Sequence, residues 1–237
     1  MNILGIDTAT TGCSVAVEID GEIAARQWQE MERGQAERLN PMIGEVMGQA
    51  GLTFDGLTGI GVTIGPGAFT GLRIGLAAAR AIGLAARVPV IGITTFAALA
   101  RAVPGSELSG RTLVIAVNGK RRDVFAQTSD GQGKSLSEPG ALDPETVPDS
   151  LPRGPILIAG DGGPALVRAL EGCSEAGDGP ENRVRFSTAM KPPDAAHVAA
   201  LAAQALASGE SLHLDALPRP LYIRPPDARL PDRGRRP

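Results

Sequence analysis

Gly65-Pro66-Gly67-Ala68-Phe69-Thr70-Gly71-Leu72-Arg73-Ile74-Gly75 is the stretch around which the chain is organised. A β-rich run from Thr58 to Ile64 leads into it. Gly-Pro-Gly then forces a turn, because proline fixes φ while glycine tolerates conformations closed to other residues. Thr70 is placed to cap the helix that follows. That helix, Gly71 to Arg87, is apolar nearly all round, which predicts burial on several sides. Arg73, Arg80 and Arg87 recur every seven residues along one stripe. Gly71, Gly75, Ala79 and Gly83 fall four apart and form a strip without side-chain bulk, along which another element can approach closely. The strip faces either the chain's own sheet or a helix of a second subunit. The docking face is the reading carried forward, with Leu72 beside the glycines.

No familiar nucleotide loop matches this stretch. A Walker loop ends in Gly-Lys-Ser/Thr, whereas Phe69-Thr70-Gly71-Leu72 stands here. A Rossmann fingerprint needs its third glycine at Thr70 and a carboxylate roughly 20 residues on. Between Asp55 and Glu107 there is no Asp or Glu, while Arg73, Arg80, Arg87 and Arg101 are present.

The length of 237 residues allows one large domain or two small ones with real cores. Aromatics are only 3% and Gly and Ala are abundant, so packing depends on close backbone approach. A net charge of -3 gives no overall attraction to nucleic acid. No signal-like start and no apolar run long enough to cross a bilayer is evident, which leads to the expectation of a cytoplasmic protein. Cys13 and Cys173 are too few for a disulfide framework and read as reduced, small hydrophobes.

Asn2 to Asp7 predicts a strand ending on a carboxylate. Thr8 to Gly12 is a polar turn into Ser14 to Ile19, and Asp20-Gly21 is a hairpin signal feeding Glu22 to Gln29. Asp7 with Thr8, Thr10 and Thr11 makes a loop able to take a phosphate or a metal, although Asp and Thr are also ordinary turn residues. Gln35 to Gln49 carries Leu39, Met42, Ile43, Val46 and Met47 at helical spacing, with Pro41 marking a start or a kink. A strand at Val90 to Ile93 and a helix capped by Thr94-Thr95 complete the first half. The second half repeats the order: strands at Thr112 to Val117, Val124 to Thr128 and, weakly, Ser135 to Ser137, then a short helix from Asp143. A strand at Ile156 to Ala159 and the turn Gly160-Asp161-Gly162-Gly163 come next, leading into a helix that ends near Leu170. Gly172 to Arg183 reads as an insertion, and Asp194 to Ser208 as a long Ala-rich helix. Two similar halves around mixed sheets describe an internal duplication, an α/β chain divided at 1–104 and 105–227 with a basic tail at 228–237.

Ile3-Leu4-Gly5-Ile6-Asp7-Thr8-Ala9-Thr10, the glycine run from Gly65 and the late Pro220-Leu221-Tyr222-Ile223-Arg224 resemble the TsaB family, also called YeaZ. The likeness runs from about Asn2 to Asp227. It implies an actin-like fold of two ribonuclease-H-like halves, the ASKHA class of sugar kinases and Hsp70. It also implies a role as dimerising subunit of the bacterial machinery for threonylcarbamoyladenosine in tRNA. In that picture helices from about Gln35 to Gln49 and Gly71 to Arg87 pack against the same pair in the catalytic subunit TsaD. Glu37, Arg38, Pro41 and Met42 then join the glycine strip at the interface. TsaE, an ATPase, completes the assembly, the isolated chain forms a homodimer, and tRNA is met only through the complex. The resemblance implies no catalytic residue, metal or cofactor of the chain's own, and leaves room for ATP or ADP at the complex interface.

Two departures sharpen this picture. TsaD holds a metal with a His-x-x-x-His pair, two imidazoles one helical turn apart; the corresponding Gly34-Gln35-Ala36-Glu37-Arg38 has none. Of the two histidines, His197 lies on the Ala-rich helix and His213 in a loop, and neither has a ligand-spaced partner. Asn118-Gly119-Lys120 replaces a carboxylate that nucleotide-binding relatives use for Mg²⁺. Three rivals remain. An autonomous ATPase or small-molecule kinase would use a phosphate loop of Asp7, Thr8, Thr10, Gly160, Asp161 and Gly162. A peptidase would need a metal or an activated nucleophile that is missing. A nucleic-acid module would use Lys120-Arg121-Arg122 or the tail arginines, with no aromatics interleaved for stacking.

Overall fold

In the computed structural model of the chain, residues 1–119, 124–130, 134–142, 151–171, 183–209 and 217–223 are described. The short helix expected from Asp143, most of the 172–183 insertion, Cys173, His213, Lys120-Arg121-Arg122 and the 228–237 tail lie outside them. Strands β1 (Asn2–Asp7), β2 (Gly12–Ile19) and β3 (Glu22–Glu30) make the antiparallel meander that apolar alternation predicts. Asp20 and Gly21 turn it with φ of 51° and 90°, as a two-residue hairpin with the twist of its strands requires.

Helix α1 (Gln35–Gln49) crosses to β4 (Gly59–Gly65), which lies parallel to β1. Helix α2 (Phe69–Ala86) returns to β5 (Val90–Thr94), parallel to β4, closing the order β3-β2-β1-β4-β5. Helix α3 (Thr95–Arg101) and the single turn α4 (Gly105–Leu108) lead into the second sheet. There β6 (Thr112–Asn118), β7 (Val124–Ser129) and β8 (Gly140–Leu142) repeat the meander. β9 (Ile156–Ala159), α5 (Gly163–Glu171) and β10 (Val184–Phe186) repeat the parallel part. The second order, β10-β9-β6-β7-β8, is the first traversed from the opposite edge, so each half has the same topology.

Three local expectations change, and one open alternative, at Pro41, is narrowed. Helix α2 starts at Phe69 with Ala68 at its cap and no side-chain cap bond, so Thr70 is inside the first turn. Pro41 sits within α1 rather than starting it. The hydrogen bond it forgoes is to the carbonyl of Glu37, and both residues are exposed, so water can satisfy that oxygen. The third strand of the second half is at Gly140–Leu142, while Ser135 forms only an isolated bridge to Ser129. β10 was not foreseen, because three residues carry too short an alternation to register. The cap of α3 is the expected one: Thr94 Oγ1 accepts from Ala97 N–H at 3.1 Å. Thr94→Ala should cost about 1 kcal/mol, read as a fall in the denaturant midpoint with unchanged slope.

Helices α1 and α2 cover one face of the first sheet. Leu39, Met42, Ile43, Val46, Met47, Leu76 and Ala79 pack there on Leu4, Ile6, Val15, Val17, Ile60 and Val62. The final helix, α6 (Ala195–Ala207), crosses back from the second half to cover the other face. Glycines in the strands permit this: a Cβ on Gly5 would lie 2.3 Å from the Ala195 carbonyl oxygen, and one on Gly61 2.8 Å from Ala202 Cβ. Residues 217–223 then run as a strap along the end of β4 and α2, with Leu221 N–H donating to the Ile64 carbonyl at 2.7 Å. Helix α2 has the length (18 residues) and mean hydropathy (1.3) of a membrane span, with Arg73 and Arg80 interrupting its apolar run. Its glycine strip is packed on the chain's own sheet, and the rest of the helix faces outward, so that one third of it is buried.

Candidate functional site

The turn after β1 is closed. Asp7, Thr8 and Thr10 are all buried, and the Gly65–Gly71 stretch lies over them. Ala68 N–H donates to the Ala9 carbonyl at 2.6 Å, and Thr8 Oγ1 donates to the Gly71 carbonyl at 2.7 Å. A Cβ on Gly67 would stand 2.1 Å from the Ala9 carbonyl oxygen, and one on Gly71 2.1 Å from that of Thr8. The Thr8 hydroxyl and the Ala9 carbonyl are therefore spent on the start of α2, which also covers the backbone of Thr8 and Ala9.

Asp7 Oδ1 accepts from Thr63 Oγ1 at 2.7 Å and from Ala9 N–H at 3.2 Å. Its other oxygen, Oδ2, is buried and has no hydrogen-bond partner, as is Thr10 Oγ1. Burial raises the carboxyl from 3.8 to about 7, against the two hydrogen bonds and with smaller contributions from Asp161 and Asp194. In the second half, Asp161 Oδ1 accepts from Asn118 N–H at 3.1 Å. Gly160 has φ of 97°, and both Gly160 and Gly162 press on the backbone of β6, where a Cβ would sit 2.3 Å and 2.9 Å from Ala116 atoms. The fold thus brings the two halves of the expected phosphate loop, Asp7 and Asp161, within electrostatic reach. It uses Thr8, Thr10, Gly160 and Gly162 for packing. Among the described residues no group of three or more His, Cys, Asp or Glu is placed to hold a metal ion.

The glycine strip faces inward, which corrects the docking-face reading. Gly71, Leu72, Gly75, Ala79 and Gly83 are buried. A Cβ on Gly75 would lie 2.6 Å from Thr8 Oγ1, and one on Gly83 2.4 Å from Val90 Cγ2. Met42 is likewise core. Arg38 is tied down by Glu45 in a bidentate pair at 2.8 and 2.9 Å and by Gln27 and Gln29 at 3.0 and 3.1 Å. That network fixes α1 to β3, so Arg38 positions the helix.

The outer face of the pair is formed by other residues. Glu37, Pro41, Gly44 and Gly48 are exposed along α1, and Arg73, Ala77, Ala81 and Leu84 along α2. A Cβ on Gly44 or Gly48 would meet nothing within 4 Å, and Leu84 is 83% exposed. Of the expected interface residues, only Glu37 and Pro41 lie on this low-bulk surface. Sequence reasoning missed Gly44 and Gly48, although their spacing of four was visible opposite the apolar positions of α1. The Arg stripe also divides: Arg73 Nε donates to Tyr222 Oη at 3.3 Å, Arg80 Nη2 donates to the Pro218 carbonyl, and Arg87 caps α2 in the left-handed region. His197, held neutral mainly by burial, lines a separate cavity of about 780 Å³ with Trp28, Glu30, Lys191 and Asp194. Cys13 is buried and its thiol is pushed up to about 11, which makes it inert.

Two sheets of one topology, with a glycine-turn carboxylate at the end of each first parallel pair, define a duplicated actin-like α/β protein. A likeness of fold alone reaches as far as (R)-2-hydroxyglutaryl-CoA dehydratase component A of Acidaminococcus fermentans, at TM-score 0.51 and 12% identity over 87% of this chain and 99% of that one. YeaZ from Pseudomonas aeruginosa superposes at TM-score 0.73 with 25% identity over 93% of this chain and 99% of that chain. The tRNA threonylcarbamoyladenosine biosynthesis protein TsaB of Escherichia coli (strain K12) is 33% identical over 53% of this chain and 53% of its own length. The match thus spans about half the length of that curated relative. An uncharacterized protein of Mycobacterium tuberculosis (strain ATCC 25618 / H37Rv) is 30% identical over 96% of this chain and 93% of its own. Residues 27–144 match the family model TsaD, tRNA N6-adenosine threonylcarbamoyltransferase. The chain belongs to the TsaB (YeaZ) family.

Proposed function

We propose that this chain is a non-catalytic partner subunit in the modification of tRNA adenosine, beside the anticodon, to threonylcarbamoyladenosine. It binds a TsaD homologue through the outer face of α1 and α2 and holds it in active shape. The observation that carries this reading is the unfilled outer surface over Gly44 and Gly48, flanked by Ala77, Ala81 and the exposed Leu84. Small residues on adjacent helices let a second helix pair approach closely, and apolar surface gains from being covered. The buried Asp7 turn supports the non-catalytic half of the reading, since it is closed over by the glycine turn and its Thr8 hydroxyl and Ala9 amide already serve the fold. A TsaE homologue, ATP or ADP at the subunit boundary, self-association of the isolated chain and a cytoplasmic location belong to the same proposal.

The test is co-expression with the host's TsaD homologue, followed by size exclusion and a tRNA modification assay with and without this chain. Gly44→Leu adds bulk where the folded chain has room. It should leave the thermal midpoint unchanged or slightly raised while lowering TsaD affinity and modification at least tenfold. Full retention of both by a native-like Gly44→Leu would place the contact elsewhere. ATP turnover by the isolated chain would favour the kinase reading instead.

A further inference from the structure

We propose that the surface stack of Phe69, Arg73 and Tyr222 is an RNA-contacting platform, taking an unpaired base of a folded RNA against the rings and a phosphate on the guanidinium. The inference rests on the tRNA reading above and gives this subunit a direct contact with the substrate. Phe69 comes from the glycine turn and Tyr222 from the strap, two of the three stretches that resemble the family. The fold brings them together with ring centroids 5.4 Å apart and planes 27° from parallel. The Arg73 guanidinium carbon lies 3.7 Å from the Phe69 centroid. Such a cation–aromatic stack is one that bases readily extend.

The stack is open to solvent. Phe69 is 46% and Tyr222 40% exposed, although the chain has a single tyrosine and only 3% aromatics. It is also preassembled, with Arg73 Nε bonded to Tyr222 Oη, so little ordering cost remains on binding. Its charge setting is one-sided. Residues 56–106, which supply Phe69 and Arg73, contain four arginines and no carboxylate. In the sequence Tyr222 is the one aromatic near Arg224, and the fold sets Phe69 and Arg73 beside it. An acidic protein surface would satisfy the arginines but has no use for the paired rings, whereas an unpaired base uses both.

The experiment titrates a labelled tRNA transcript with the full chain, alone and in complex with its TsaD homologue, across a series of salt concentrations. Tyr222→Leu keeps an apolar side chain on the strap and should weaken binding about tenfold with an unchanged salt slope. Arg73→Gln should weaken binding and reduce the slope by about 1. Should Tyr222→Leu lose the native circular dichroism, Phe69→Leu and Arg73→Gln carry the test. Affinity within twofold of wild type in the folded variants overturns the platform. Displacement of the tRNA by poly-glutamate as effectively as by unlabelled RNA also overturns it, in favour of an acidic protein partner. Modification stimulated normally by these variants with RNA affinity unmoved sinks the platform alone. Failure of the wild-type chain to bind or stimulate TsaD sinks the partner reading and leaves the RNA titration standing.

Discussion

Gly71→Ala lowers stability by about 3 kcal/mol or more, measured as a fall of roughly 10 °C in the thermal midpoint. The added methyl would stand 2.1 Å from the Thr8 carbonyl oxygen, a backbone atom held in place by β1. Accommodating it means lifting the first turn of α2 away from the β1–β2 turn, which stretches the bonds from Thr8 Oγ1 to Gly71 and from Ala68 to Ala9. Gly75→Ala should act in the same direction but less strongly, because the neighbour at 2.6 Å is the Thr8 hydroxyl, which can rotate at the cost of its hydrogen bond. Gly48→Ala is the contrast. It faces open space on an exposed helix, so it should leave the midpoint unchanged or raise it by the ~0.5–1 kcal/mol that alanine gains over glycine. If Gly71→Ala melts with the wild type, the packing of α2 against the Asp7 turn is not as described.

Asp7→Asn should make the protein more stable at pH 8 and leave it unchanged near pH 4. The native carboxyl has its pKa raised from 3.8 to about 7, mainly by burial. Between those values the folded state keeps a proton that the unfolded chain releases. The stability tied to that proton is therefore complete below the unfolded pKa and is lost as pH rises through the folded one. Across the window the loss is on the order of 4 kcal/mol at 1.36 kcal/mol per pKa unit, which corresponds to roughly 10 °C. Asparagine keeps an oxygen for Thr63 and Ala9 and removes the ionisation. His197, whose pKa is lowered by burial, works in the opposite sense as pH falls, and it cancels when the two proteins are compared at each pH. Equal pH profiles for the two proteins would mean that Asp7 is solvated in the folded state. Retained tRNA modification by Asp7→Asn would further separate this carboxyl from catalysis.

Both predictions concern places where one-dimensional spacing was informative but not directional. The strip Gly71, Gly75, Ala79, Gly83 was visible from its period, yet period says only that residues share a face. Helix α2 is apolar nearly all round, so nothing in its own composition distinguishes the face on β1 and β4 from the face toward solvent. Helix α1 is amphipathic, and there Leu39, Met42, Ile43, Val46 and Met47 did identify the core side. The exposed Gly44 and Gly48 follow from it by elimination. The phosphate-loop residues show the same limit: Asp7, Thr8 and Thr10 have the right chemistry for an anion, but their burial depends on a segment some sixty residues away.

The sequence by itself determined the strand and helix order of the first half, the hairpin at Asp20-Gly21 and the repeat of the topology, because these depend on local backbone preference and on apolar period. It also marked the family, through the likeness of three stretches of residues. Tertiary structure alone decided which side of α2 is inside, that Asp7 is sealed beneath the glycine turn, and that α6 and the 217–223 strap return to the first sheet. Tertiary structure also joined Phe69 to Tyr222. These are contacts between residues far apart in the chain, set by whether two surfaces fit at van der Waals distance, and no spacing along one strand or helix carries that information.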